Sequence, residues 1–260
     1  MKLPIYQIDA FAGRLFSGNP AAVVFPESEL PPEKMQAIAA ENNLAETAFV
    51  LADGANYQIR WFTPTTEVDL CGHATLAAAH VLFNHLSYSS DTVIFSSKSG
   101  SLHVRKEGEI LFLNFPSDTP QVVELKTDII NGLGAKPTEI YKGREDYLAL
   151  FDSEEIISSL SPNMDILCKV ASRGVIVSAP GNESDFVSRF FAPQLGVPED
   201  PVTGSAHTTL IPYWSRKLDK QQLFARQISK RGGELMCKDL GKRVEIGGRA
   251  VTYLVGEIFL

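Results

Sequence analysis

At 260 residues the chain has room for one large domain or two of moderate size. Its 44% hydrophobic and 21% charged residues are those of an ordinary globular protein, and a net charge of −7 argues against nucleic acid or an anionic membrane as partner. Cys71, Cys168 and Cys237 are too scattered for a disulfide framework or a zinc cluster, and neither a signal-peptide pattern nor an apolar run of membrane length is present; the expectation is a cytoplasmic protein with no metal and no membrane partner.

In chain order, Ile5–Phe11 reads as a strand, followed by a Ser17-Gly18-Asn19-Pro20 turn and a second strand at Ala21–Phe25. Glu33–Asn43 is a helix with Met35, Ile38 and Ala39 on one face, entered through Pro31-Pro32. Asn43-Leu44-Ala45-Glu46-Thr47 breaks into a strand at Ala48–Leu51, and Tyr57–Phe62 is another, closed by Thr63-Pro64. Next comes the stretch around which the chain is organised, Glu67–Phe83, with sequence EVDLCGHATLAAAHVLF. After Thr75 only His80 interrupts its apolar run, so the spacing predicts a helix enclosed by protein on all sides. That helix begins at Gly72-His73-Ala74, where unsatisfied N–H groups and the dipole favour an anion. Strands at Thr92–Ser96, Ser101–Lys106 and Ile110–Phe115 follow.

Pro116–Pro120 reads as the linker between two domains, 1–118 and 119–260, with 250–260 as a segment able to return to the first. Beyond it lie a helix at Leu125–Leu133 stopped by Gly134, a hairpin of Glu139–Tyr141 and Tyr147–Phe151, and a short helix Ser153–Leu160 with Ser153 as its cap. Val175–Ser178 and Asp185–Phe191 are strands, Thr203–Lys217 a second helix led by glycine, and Leu223–Ser229, Glu234–Lys238, Arg243–Ile246 and Ala250–Leu260 the closing strands.

The two halves repeat. Arg60-Trp61-Phe62-Thr63-Pro64 matches Arg189-Phe190-Phe191-Ala192-Pro193; each runs through an acidic loop, three residues longer in the second copy, into a helix opening Gly72-His73-Ala74 or Gly204-Ser205-Ala206. With Ala48–Leu51 set against Val175–Ser178, the expectation is an α+β protein of two similar domains. Each has a mixed, largely antiparallel sheet rolled around a central helix, and the helix N-termini face one another across a cleft.

Glu46, among apolar neighbours, is a candidate general acid/base, since desolvation raises a carboxyl toward neutrality; the plainer alternative is an exposed loop glutamate. His73 is either a donor to a substrate carboxylate and proton relay or a capping or core histidine. Cys71, at a helix N-terminus expected to lower its pKa, is a possible thiol base, though a small packing residue is the favoured reading. Asp200 caps the second helix or contacts substrate, and the Gly204 and Ser205 N–H groups are placed to hold a carboxylate. Ser172-Arg173-Gly174 lies where the second half would need a partner for Glu46, and it carries no carboxylate. No P-loop or G-x-G-x-x-G is present, so no nucleotide cofactor is expected.

Phe16–Val23, Asn43–Thr47, Asp69–Ala79 and Glu199–Ala206 together resemble the signatures of the PhzF-like (phenazine biosynthesis-like) isomerases, in the family's order and over nearly the whole chain. The resemblance implies the diaminopimelate epimerase-like fold and a homodimer without cofactor. It implies Glu46 as the residue that moves a proton between carbons of a small carboxylate-bearing metabolite. It also implies His73, Asp200 and Ser205 as substrate contacts, the Gly72 and Gly204 N–H groups nearby, and Asn19 lining the cleft. The family's best understood member isomerises a cyclic dihydro-anthranilate. Epimerases of this fold use two cysteines; Cys71 stands where the first would be and the second is missing. The remaining alternatives are a ligand-binding or protein-interaction member without catalysis, and a Cys71 thiol-dependent epimerase.

Overall fold

The computed structural model describes residues 2–260. The chain forms two compact units: Met1–Asn114 together with Gly247–Leu260, and Phe115–Ile246.

In the first unit Lys2–Ala10 and Asn19–Val24 make an antiparallel hairpin, and Ala250–Phe259 pairs antiparallel with the other edge of Lys2–Ala10. The helix Pro32–Asn42 is the crossover that lets Glu46–Asp53 run parallel to Asn19–Val24, with Ala21 opposite Glu46. Asn56–Phe62 returns antiparallel, the two-residue strand Glu67–Val68 folds back on it, and Thr92–Ser97 lies parallel to it. The second unit repeats these relations. Glu139–Lys142 and Tyr147–Leu150 form the hairpin, edged by Gln121–Val123. Val175–Pro180 runs parallel to Tyr147–Leu150, Phe186–Ala192 is antiparallel to it, Val197–Asp200 folds back, and Gln222–Gln227 is parallel to Phe186–Ala192. An ion pair is also duplicated: Arg60 forks onto Glu67 at 2.8 and 3.0 Å, and Arg189 onto Glu199 at 2.7 and 3.0 Å.

Register refines the internal match. Phe49 pairs with Arg60 and Val177 with Arg189, so Phe49 corresponds to Val177 and Glu46 to Gly174. Setting Ala48 against Val175 is therefore out by one residue.

Each unit has a buried helix. Gly72–Asn84 is buried on every face except at Gly72, His80 and Asn84. It packs on the strands Lys2–Ala10, Asn19–Val24, Glu46–Asp53, Gly100–Glu107 and Ala250–Phe259. Alanines at 74, 77, 78 and 79, all inaccessible, keep its envelope thin enough for surrounding strands. The second helix, Gly204–Leu218, contains Pro212, which supplies no N–H to the carbonyl of Thr208. The Asp118 N–H fills that gap at 3.0 Å, while the Asp118 carboxylate accepts from Thr209 Oγ1 and the Arg144 N–H. The proline is thus tolerated because the segment entering the second unit mends the broken ladder.

Several sequence expectations need correction. The helix expected from Leu125 begins at Thr127, because Gln121–Val123 is drawn into a strand opposite Glu139–Lys142. Ser153 makes no side-chain cap; its hydroxyl is engaged by Glu155. Asp200 does not cap the second helix, whose N-cap is Thr203. The short helix Met164–Leu167, capped by Asn163, and the strand Val197–Asp200 were not foreseen. Among the described residues no helix is long and apolar enough to cross a membrane.

Candidate active site

In the first unit, Asn43 adopts a left-handed conformation (φ 48°) that ends the helix Pro32–Asn42 and delivers Glu46 as the first residue of its strand. His73 is the second residue of the central helix and Cys71 its N-cap. Asn19 opens its strand directly after Gly18, whose φ is +68° and where a Cβ would come within 2.2 Å of the Ala10 carbonyl oxygen; only glycine fits that turn.

These elements bring Glu46, His73, Cys71 and Asn19 together. His73 Nε2 lies 3.1 Å from Glu46 Oε2, while on the other ring nitrogen Nδ1 faces Cys71 Sγ at 3.6 Å and Asn19 Nδ2 at 3.3 Å. Glu46 therefore does not stand alone among apolar neighbours. The Glu46–His73 approach is close but lacks hydrogen-bond alignment: both Oε2 and Nε2 are buried with no hydrogen-bond partner. The central helix closes its first internal bond only at Thr75 N–H to Cys71 C=O, 3.2 Å, with the Gly72 and His73 amides ahead of it.

Burial by itself depresses the His73 pKa, but its interactions with Cys71 and Glu46, hydrogen bonding included, outweigh it and hold the imidazole above its usual range. Cys71 shifts the opposite way from the sequence expectation. Burial, and then the charge of Glu46, push its thiol up, and the helix terminus does not reverse this. Candidate ligand atoms of Glu46, Cys71 and His73 lie within 4.8 Å of one another. The ring sits between the other two, however, with thiol and carboxylate on different nitrogens. One ion could not take all three without turning the imidazole, so the arrangement suits proton transfer along a line better than a metal cage.

In the second unit, Asp200 ends its strand and accepts from Thr203 Oγ1 at 2.5 Å. Gln227 locks this corner: its amide donates to the Asp200 carbonyl at 2.8 Å and to Thr203 Oγ1 at 3.1 Å, and its oxygen accepts the Thr203 N–H at 2.8 Å. Gly204 and Ser205 start the helix, and Arg173 Nη1 donates to Ser205 Oγ at 3.0 Å. Sequence reasoning assigned no role to Asp146, Arg173 or Gln227. The signal for Arg173 was its place in Ser172-Arg173-Gly174, beside the counterpart of Glu46; Gln227 and Asp146 carry no local signal.

His207, one turn into the second helix, donates from Nδ1 to the Thr203 carbonyl at 2.8 Å and is fully buried. Burial lowers its pKa to about 4, and His80 is also lowered to about 4, by burial and then by His85 and Lys106. The unfolded chain takes up these protons below about 6.5, whereas the folded chain resists them down to about 4. Stability present at neutral pH is therefore lost as pH falls through this window, by about 3 kcal/mol for His207. Thermal midpoints measured between pH 7 and 4.5 should drop steeply, and His207→Gln should flatten the slope.

A buried helix wrapped by strands, present twice, with polar side chains gathered at both helix starts, places this chain in the diaminopimelate epimerase-like fold shared with racemases and epimerases. More narrowly, the sequence matches the phenazine biosynthesis-like (PhzC-PhzF) family over residues 8–256, and the chain belongs to that family. It is 50% identical over 260 residues to an uncharacterized isomerase of Pseudomonas aeruginosa, covering 100% of both chains. The crystal structure of a PhzF-family phenazine biosynthesis protein from Enterococcus faecalis matches with a TM-score of 0.98 at 47% identity, over 100% of each chain. A hydroxyproline epimerase from Agrobacterium vitis shares the fold alone, with a TM-score of 0.67 at 9% identity over 99% of this chain and 92% of that one.

Proposed function

We propose that the protein is a cofactor-independent isomerase that moves a proton between carbons of a small carboxylate-bearing metabolite, with Glu46 as general acid/base. Relatives named as isomerases support the class. The observation that carries the assignment is the Glu46–His73 pair, 3.1 Å apart, with a buried oxygen and a buried nitrogen both lacking a hydrogen-bond partner. A carboxylate and an imidazole held this close on a buried helix start can pass a proton between them and a bound ligand.

In this reading the substrate contacts are the Gly72 amide and Asn19 in the first unit and the Gly204 amide, Ser205 and Asp200 in the second, with amides and hydroxyl as donors to a carboxylate. Glu46 takes the proton from one carbon, the electron pair shifts along the conjugated system, and the proton returns to a second carbon, leaving composition unchanged and the carboxylate regenerated. His73 stabilises the charge as it moves. A homodimer and a cytoplasmic location go with this reading.

The test is solvent exchange. The protein is incubated in D2O with a panel of carboxylic acids carrying an acidic C–H, and deuterium incorporation is read by mass spectrometry. Incorporation into at least one acid supports the reading, whereas binding with no exchange would favour a non-catalytic member of the family. A thiol-dependent epimerase is the weaker alternative: the counterpart of Cys71 is Thr203, and the Cys71 thiol is pushed up. Cys71→Ser is expected to retain exchange within a few-fold; complete loss would restore the thiol route.

A further inference from the structure

By strand register the counterpart of Glu46 is Gly174, and by helix start the counterpart of His73 is Ser205. A Cβ at 174 would lie 2.4 Å from the Phe190 ring, so no side chain fits there. The adjacent Arg173 fills the role instead. Where the first unit sets a carboxylate 3.1 Å from an imidazole, the second sets a guanidinium 3.0 Å from a hydroxyl.

The direction of that second contact is fixed by chemistry. A guanidinium only donates, so Ser205 Oγ is the acceptor and its own proton must point elsewhere. No described residue accepts that proton, and Ser205 is half-buried. Arg173 in turn is clamped. Its Nε donates to Asp146 Oδ1 at 2.9 Å and its Nη2 to Asp146 Oδ2, and Asp146 is buried. The Arg173 N–H donates to the Glu145 carbonyl at 3.0 Å, and the guanidinium lies 5.4 Å from the Phe190 ring centre. A two-pronged bond to a buried carboxylate fixes the plane of the fork, and hence the point at which Nη1 meets Ser205.

We propose that Asp146 and Arg173 are positioning residues: they hold Ser205 Oγ as an acceptor and turn its hydroxyl proton outward as a fixed donor to a carboxylate oxygen of the ligand. This rests on the isomerase reading only in taking the ligand to be a carboxylate. The symmetry of the two units then has a chemical meaning. One duplicated position moves protons, and its counterpart, whose charge does not titrate in the working range, orients an anion.

The first measurement needs no ligand. Crystal structures of the wild type and of Arg173→Met are compared at Ser205; the wild type should show one rotamer with Oγ on the guanidinium, and R173M should release it. An unchanged Ser205 in R173M overturns the proposal. Should R173M fail to fold because Asp146 is stranded, the paired variant D146N/R173M takes its place. The second measurement titrates anthranilate, a fluorescent aromatic carboxylate, into wild type, S205A, R173M and the S205A/R173M double variant. Each single change should weaken binding about tenfold, and the double no more than either alone, because both remove the same donor. Additive losses overturn the proposal. Failure of the wild type to bind anthranilate would count against the carboxylate reading of the function, while the Ser205 rotamer would still decide the positioning role.

Discussion

Glu46→Gln is expected to slow solvent deuterium exchange into the substrate by about 10²- to 10⁴-fold while leaving ligand affinity within a few-fold. The replacement keeps shape and two polar atoms but removes the carboxylate that would take the proton. It also withdraws one of the two partners that raise His73, so the His73 NMR titration should shift down in the same variant. The two readouts separate causes. A loss of exchange accompanied by loss of binding would mean that Glu46 is part of the pocket rather than the base. Exchange at the wild-type rate would remove the mechanism altogether.

The largest effect on stability is expected inside the first central helix. Ala78 and Leu76 are 0% exposed, enclosed by strands from both ends of the chain. Ala78→Asp would place a carboxylate where no cation and no water can reach it. The cost is several kcal/mol, a large share of the about 5–15 kcal/mol that a folded domain has in total. The expected result is no soluble folded protein, seen as loss of the cooperative thermal transition. Leu76→Ala is the graded control, with a cavity cost of about 2–5 kcal/mol read from denaturant midpoints. A variant A78D with a wild-type melting curve would mean that the helix is not sheathed on that side.

Much of the fold was legible because its signals are local. A thirteen-residue helix with no continuous polar face has to be enclosed. The Arg-aromatic-Phe-x-Pro run, followed by an acidic residue and a glycine-led helix, recurs because each unit solves the same problem with the same ion pair, Arg60–Glu67 and Arg189–Glu199. What went wrong was also local. The start of the helix at Thr127 and the lack of a Ser153 cap depend on a strand partner and on Glu155, which compete for those residues, and propensity does not see competition.

The amino-acid order by itself determined the duplication, the two buried helices, the place of Glu46 at a helix-to-strand break and that of His73, Asp200 and Ser205 beside glycine-led helix starts, because spacing and hydrophobic period are properties of the chain. Only the tertiary structure decided which of those groups touch. Asn19, Glu46 and His73 are separated by up to 54 residues, and Arg173 by 27 from Asp146 and 32 from Ser205. It also reversed the reading of Cys71: burial, and then the charge of Glu46, outweigh what the helix terminus and the neighbouring His73 do to lower the thiol pKa.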